Sequence, residues 1–313
     1  MLPNGQPARG AAARFASLNL REIKHPMSSR CTRVLLAPRA LTQETGSDMK
    51  RERIEIGWYA VRPSLFYLVL FITIRAVLFR ILESVLLSSD ADMALYYEVW
   101  SGTADTLILG LSCAGAVIPV LSEGRREVML ARAGSDKAWI AKRKDSRMLI
   151  AVLPAGTICL SAFLNILLAP WSAGFYADPV SVPLAAAVYG FLTPFTEELV
   201  FRGILYHRLR RGFPPLQAAV ISALLFGFAH GSAAQDFYAV VMGIVFALSF
   251  ELTRRFEVPY LLHCTCNLAV LAAGAAGLGE VLSSPMWIVF FAAGSAAVFG
   301  YWGKRLRETN FRF

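Results

Sequence analysis

The feature that most constrains this chain is a series of long uncharged apolar runs. They cover residues 65–87, interrupted by Arg75, Arg80 and Glu83, and then 106–122, 148–176, 179–196, 212–229, 237–250, 258–279 and 281–303. Several approach the ~20 residues that a helix needs to cross a bilayer. Eight such runs in 313 residues leave little room for a soluble core. Charged residues make up 17% of the chain, against about 25% in ordinary soluble domains, and the mean hydropathy is +0.51. Intrinsic disorder is therefore excluded as an overall description, and a soluble enzyme is not expected. The expected fold class is an all-α, polytopic integral membrane protein with about eight transmembrane helices.

The net charge of +9 raises the question of a nucleic-acid partner, and the placement of the charges answers it. The 31 Lys and Arg fall before residue 64, twice in the first run, and then at 125–147, 202–211, 254–255 and beyond 303. The remaining connections carry only acidic charge. This alternation is what eight spans with both termini in the cytoplasm produce under the positive-inside rule. The basic balance reads as an orientation signal, with attraction to anionic membrane lipid as a second effect. No nucleic-acid partner is expected. Arg and Ala usage favours a bacterial plasma membrane.

Four regions follow from this pattern. Residues 1–60 form a basic tail without apolar periodicity, expected to be disordered and cytoplasmic. Residues 61–178 hold the first transmembrane helices and a basic cytoplasmic loop at 123–147. Residues 179–303 hold the core that carries the chemistry, and 304–313 are a second basic tail. No secretory signal precedes residue 65; the Arg-rich start leaves open a transit peptide or a true start at Met27 or Met49. The five cysteines, Cys31, Cys113, Cys159, Cys264 and Cys266, form no disulfide framework and are expected to be reduced and packed. Cys264 and Cys266, two apart on a helix, point about 200° from each other and share an ion poorly.

Ionisable groups inside a bilayer cost on the order of 2.5–3.5 kcal/mol each, so their presence there calls for a function. Three clusters stand out. Glu197-Glu198-Leu199-Val200-Phe201-Arg202 closes the fourth run. On a helix Glu198 and Arg202 share a face and can pair, whereas Glu197 is turned about 100° away and left available. Phe226 and His230, and then His263 and Asn267, each stand four apart in later runs. Each residue has a structural explanation alone: an interhelical hydrogen bond for either histidine, an ion pair for Glu198 with Arg202, packing for Phe226, and an Arg80–Glu83 pair with Arg75 lacking an obvious local partner. Those explanations do not account for two glutamates, two histidines and an asparagine on three separate runs.

The ordered set Glu-Glu-x-x-x-Arg, Phe-x-x-x-His, His-x-x-x-Asn resembles the CAAX-processing and bacteriocin-processing (CPBP, or Abi) intramembrane proteases, whose eukaryotic members include the Ras-converting CAAX endopeptidase. The resemblance covers roughly 180–278, and all three motifs match. It implies an all-helical fold and peptide-bond hydrolysis within the membrane by a glutamate-activated water. It makes Glu197 the general base, with His230 polarising the water, and His263 and Asn267 stabilising the oxyanion. Glu198 and Arg202 become supporting residues. The implied partner is a membrane-associated protein or peptide: a prenylated CAAX tail, a peptide precursor or a C-terminal sorting tail.

No cofactor is expected on the glutamic reading. The rival is a Zn²⁺ site of His230, His263 and Glu197, for which no His-Glu-x-x-His motif is present. Two further classes stay open at this stage, an ion-coupled transporter and a catalytically silent immunity or scaffold protein. The transporter should show a repeat between its halves, and none is readable. His230 fits least well, because a fifth span starting near residue 212 would carry it to the outer end, away from the depth of Glu197.

Overall fold

The computed structural model describes residues 46–88, 93–135, 138–142, 144–171, 181–228 and 230–308. Among these residues the protein is all-α and polytopic. Its principal helices are α1 (Gly46–Ser88), α2 (Ser101–Ala133), α3 (Ser146–Leu168), α4 (Val182–Leu209), α5 (Pro215–Gly227), α6 (Ala233–Thr253), α7 (Glu257–Ala275) and α8 (Pro285–Glu308). All except α5 are long and apolar enough to cross a membrane. The eight apolar runs thus map one to one onto eight helices. Seven are of spanning length.

Where the structure departs from the sequence reading, the reason is mostly that helices continue past their apolar stretch. The tail expected over 1–60 is helical from Gly46, with an Arg51–Glu55 pair at i, i+4 in its first turns. Residues 1–45 lie outside the described residues. The basic loop expected at 123–147 is helix as far as Ala133, and α8 runs through the C-terminal basic residues to Glu308. Charges end each apolar run in the sequence, but they do not end a helix that has entered water or found partners.

The basic ends meet at one end of the bundle. Glu127 near the end of α2 holds Arg208 of α4, which also reaches the Tyr59 carbonyl of α1. Arg132 of α2 pairs with Glu257 at the start of α7, and Arg305 of α8 with Asp145 before α3. Glu251 of α6 takes Arg210, just past α4. Successive helices therefore run alternately up and down. The apolar core lies in two clusters, one packing α4 against α1, α2, α5 and α6, the other gathering α3, α6, α7 and α8. Among the described spans α4 has the largest share of buried residues in its apolar stretch, whereas α1 and α8 have the smallest and turn most of their apolar surface outward to lipid.

Candidate active site

Helix α4 is not uniform. Residues Ala186–Leu192 and Leu199–Tyr206 form wide π-helical turns on either side of an α-helical segment, Thr193–Glu198. Pro194 offers no N–H and its ring crowds the carbonyl four residues back, which accounts for the first wide stretch. Close approach to α7 adds a second constraint: a Cβ on Gly190 would come within 2.5 Å of the Leu268 side chain. The glutamate pair sits at the end of this short α segment.

Glu198 is fully buried, and so is Arg202. Arg202 Nη1 donates to Glu198 Oε1 at 2.9 Å, as the i, i+4 spacing predicts, and Nη2 donates to the Gly243 carbonyl at 3.2 Å. Its guanidinium lies over the Phe226 ring at 4.4 Å and the Phe246 ring at 5.4 Å. An Arg stripped of water is thus held by one charge, one carbonyl and two aromatic faces. His263 Nδ1 stands 2.9 Å from the same Glu198 Oε1, and its Nε2 stands 3.8 Å from Glu197 Oε2. The imidazole bridges the two carboxylates while stacking on Phe246 at 4.9 Å. Glu197 keeps 17% of its side chain accessible, so it is the member of the pair that water and substrate can reach.

His230 is placed by the shortness of α5. Thirteen residues rise about 20 Å, well short of the ~30 Å hydrocarbon thickness. A helix that starts with Pro215 and ends at Gly227 is therefore too short to be a full span. This corrects the expectation that His230 lies near the outer end of a full span. The turn after α5 is fixed: His230 N–H bonds the Gly227 carbonyl, Gly231 adopts φ +84°, its N–H meets Asp236 Oδ1 at 3.1 Å, and Ser232 caps α6. The His230 ring packs on Phe226 at 4.8 Å, and the same Phe226 ring lies 6.0 Å from His263. Phe226, read as packing, is the shared wall between both histidines and Arg202.

Both imidazoles have the same tautomer. His230 Nδ1 is 2.9 Å from the Phe226 carbonyl, and His263 Nδ1 faces a carboxylate. A carbonyl or carboxylate oxygen only accepts, so Nδ1 carries the hydrogen in each ring and Nε2 is left for chemistry. Asn267, one turn beyond His263, donates one of its amide hydrogens to the Tyr189 carbonyl at 2.8 Å and keeps the other. The structure thus gathers Glu197, Glu198, Arg202 and His263 directly. His230 joins them through Phe226, and Asn267 is tied to α4 at Tyr189.

Among the described residues no group of three or more His, Cys, Asp or Glu is gathered closely enough to hold a metal ion. The set of His230, His263 and Glu197 is not among such groups. Cys113, Cys159, Cys264 and Cys266 are free thiols.

Further along α4, sequence reading missed a second ionic cluster. Glu127 is fully buried and accepts from Arg208 Nε at 2.9 Å and Arg211 Nη2 at 2.5 Å, with His207 Nδ1 at 3.0 Å. Arg208 also bonds Glu123 and lies 4.1 Å over the Tyr59 ring. Glu251 accepts from Tyr206, Arg210 and Arg254. At Arg210 burial works against the charge, but the hydrogen bonds and field of Glu251 outweigh it and raise its pKa. The basic residues counted as an orientation signal therefore also lock helices together.

Residues 179–269 match the family model described as Type II CAAX prenyl endopeptidase Rce1-like. That segment contains every candidate site residue. The chain is also similar to a protein of Bacillus subtilis (strain 168) named "Putative membrane peptidase YdiL", 31% identical over 91 residues. The similarity covers 29% of this chain and 37% of that relative's length. No solved structure matches. The resemblance to the CAAX-processing proteases, read from three short motifs, is thus supported by a match over the whole segment from the start of α4 into α7.

Proposed function

We propose that the protein is an intramembrane endopeptidase of the CAAX-processing type, hydrolysing a peptide bond in a membrane-associated protein or peptide. The observation that carries this reading is the pairing of a partly accessible carboxylate, Glu197, with an imidazole nitrogen 3.8 Å away whose other nitrogen is anchored on a buried Glu198–Arg202 pair. A base that water can reach, backed by a fixed polar shell in a site closed off from bulk solvent, is what amide hydrolysis requires.

In the proposed reaction Glu197 takes a proton from a water whose oxygen attacks the scissile carbonyl carbon. The carbonyl π pair moves onto oxygen, giving a tetrahedral oxyanion. His230 orients the water through Nε2. The free Asn267 N–H and His263, once its Nε2 is protonated, donate to the oxyanion. Glu197 then passes its proton to the leaving nitrogen, the C–N bond breaks, and a carboxyl group and an amine are released. Glu198 and Arg202 take no part in bond changes; they hold His263 in its tautomer and orientation. The substrate enters from the lipid side as a prenylated CAAX tail, a peptide precursor or a C-terminal sorting tail. The protein works without a metal, in a bacterial plasma membrane with its basic ends in the cytoplasm, an orientation supported by the gathering of those ends on one side.

Two quenched fluorescent peptides, one with a farnesylated CAAX tail and one apolar but unlipidated, test the reading with protein purified in detergent. Cleavage by the parent and its loss in Glu197→Gln are expected, with the lipidated probe preferred if the substrate is a prenylated tail. Cleavage by Glu197→Gln at the parental rate overturns the proposal. Activity should survive exhaustive chelation; loss on chelation and recovery with Zn²⁺ would replace the metal-free reading with the metal-dependent one.

A further inference from the structure

The family match begins at residue 179, yet two side chains from earlier helices reach the short segment that carries Glu197. α1 turns most of its surface outward, but Tyr67 is only 3% exposed. Its hydroxyl lies 3.3 Å from Thr196 Oγ1, and Thr196 in turn donates to the Thr193 carbonyl at 3.0 Å. The carbonyl can only accept, so the single Thr196 hydrogen is committed and Tyr67 must be the donor. From α2, the buried Cys113 Sγ lies 3.7 Å from Thr193 Oγ1. A phenol placed among apolar helices costs free energy unless its hydroxyl is bonded, and here the bond ends on the residue just before Glu197.

The target of this chain of hydrogen bonds is the part of α4 that most needs an outside reference. Thr193–Glu198 is a six-residue α-helical segment between two π-helical stretches. A change of helical pitch on both sides means that the direction of its side chains is not set by one uniform ladder along α4. Thr196 directly precedes Glu197 in the chain, so the polar patch and the carboxylate share one locality.

We propose that Tyr67 is a positioning residue for the hydrolysis: through Thr196 it fixes the rotation of the 193–198 segment and so aims the Glu197 carboxylate at the water. The proposal rests on Glu197 being the general base. It adds a contribution from α1, a helix outside the matched segment, to a site otherwise built from α4 to α7.

Tyr67→Phe removes one oxygen and keeps the ring. On the peptide probe cleaved by the parent, kcat should fall about tenfold, equivalent to about 1.4 kcal/mol of activation free energy, with KM and thermal stability unchanged. Thr196→Val should give the same split, Thr196→Ser should keep parental kcat, and the Tyr67→Phe/Thr196→Val pair should lose no more than either single variant. Parental kcat in Tyr67→Phe, or additive losses in the pair, with Glu197→Gln inactive, overturns the role of Tyr67 alone. Parental cleavage by Glu197→Gln overturns the reading of the base, and the Tyr67 proposal with it.

Discussion

Arg202 and Arg208 are six residues apart on one helix, and both are buried against glutamate, but the two clusters are balanced in opposite ways. At Glu127 one carboxylate faces three nitrogen-bearing side chains, and both its oxygens are bonded. Around Arg202 only Glu198 takes the guanidinium, two carboxylates share one imidazole, and Glu198 Oε2 and Arg202 Nε have no hydrogen-bond partner among the described residues. A saturated cluster joins helices, whereas one with surplus acid and a single accessible oxygen-bearing group has capacity left for a reaction. The difference separates the structural use of a buried ion pair from a catalytic one on the same helix.

Substitution of the glutamates gives the largest expected effects, and they should differ in kind. Glu197→Gln should lower cleavage on the order of 10³-fold, within the range for a lost general base, while the melting temperature in detergent stays near the parental value. Glu127→Gln should do the reverse. It leaves Arg211 without its countercharge and the buried Arg208 with Glu123 alone, and breaking such a buried pair costs about 3–5 kcal/mol, read as a lowered unfolding midpoint. If Glu127→Gln proved inactive yet fully stable, the clamp would belong to the chemistry and the distinction would fall.

A milder change probes the link between support and site. A Cβ on Gly243 would lie 3.1 Å from both Ala223 and Phe226 and 3.2 Å from Arg202 Nη2, so Gly243→Ala must push on packed neighbours on every side. Overpacking of this kind costs about 1–3 kcal/mol. Because Arg202 Nη2 also bonds the Gly243 carbonyl, the strain should reach Glu198 and His263 and reduce kcat more than it raises KM. Equal loss in a Gly243→Ala variant and in a Gly124→Ala variant, whose Cβ would meet Leu199 at 2.7 Å, would mean that packing alone is being read.

The contrast also explains what was legible from the residues. Seven spans could be found because apolar length is a local property, and Glu198–Arg202 and Arg80–Glu83 because their partners sit within one turn. Glu127 and the interhelical bonds of Glu251 were passed over: the partners of Glu127 lie 80–84 residues away and those that tie Glu251 to α4 and the turn after it lie 41–45 away, although Arg254 stands three residues from Glu251. Tyr67 is 129 residues from Thr196 and looked like one aromatic among many. The place of His230 depended on where α5 stops, which hydropathy does not mark because the apolar run continues past the helix end. The bond between His263 and Glu198 is likewise a tertiary fact. The resemblance named the site residues; only the fold shows which of them touch.

The smallest expected effect tests whether burial, rather than charge pairing as such, distinguishes the clusters. Arg132 and Glu257 also join two helices at the basic end, at 3.3 Å, but their side chains are 71% and 43% exposed. Water already solvates both groups, so little desolvation is relieved or imposed when one is removed, and salt screens the rest. Arg132→Ala should therefore shift stability by about 0.5 kcal/mol or less, with kcat and KM parental. A shift as large as that of Glu127→Gln would mean that cross-linking the basic ends by any ion pair holds the bundle together. The saturation of the Glu127 clamp would then lose its special standing.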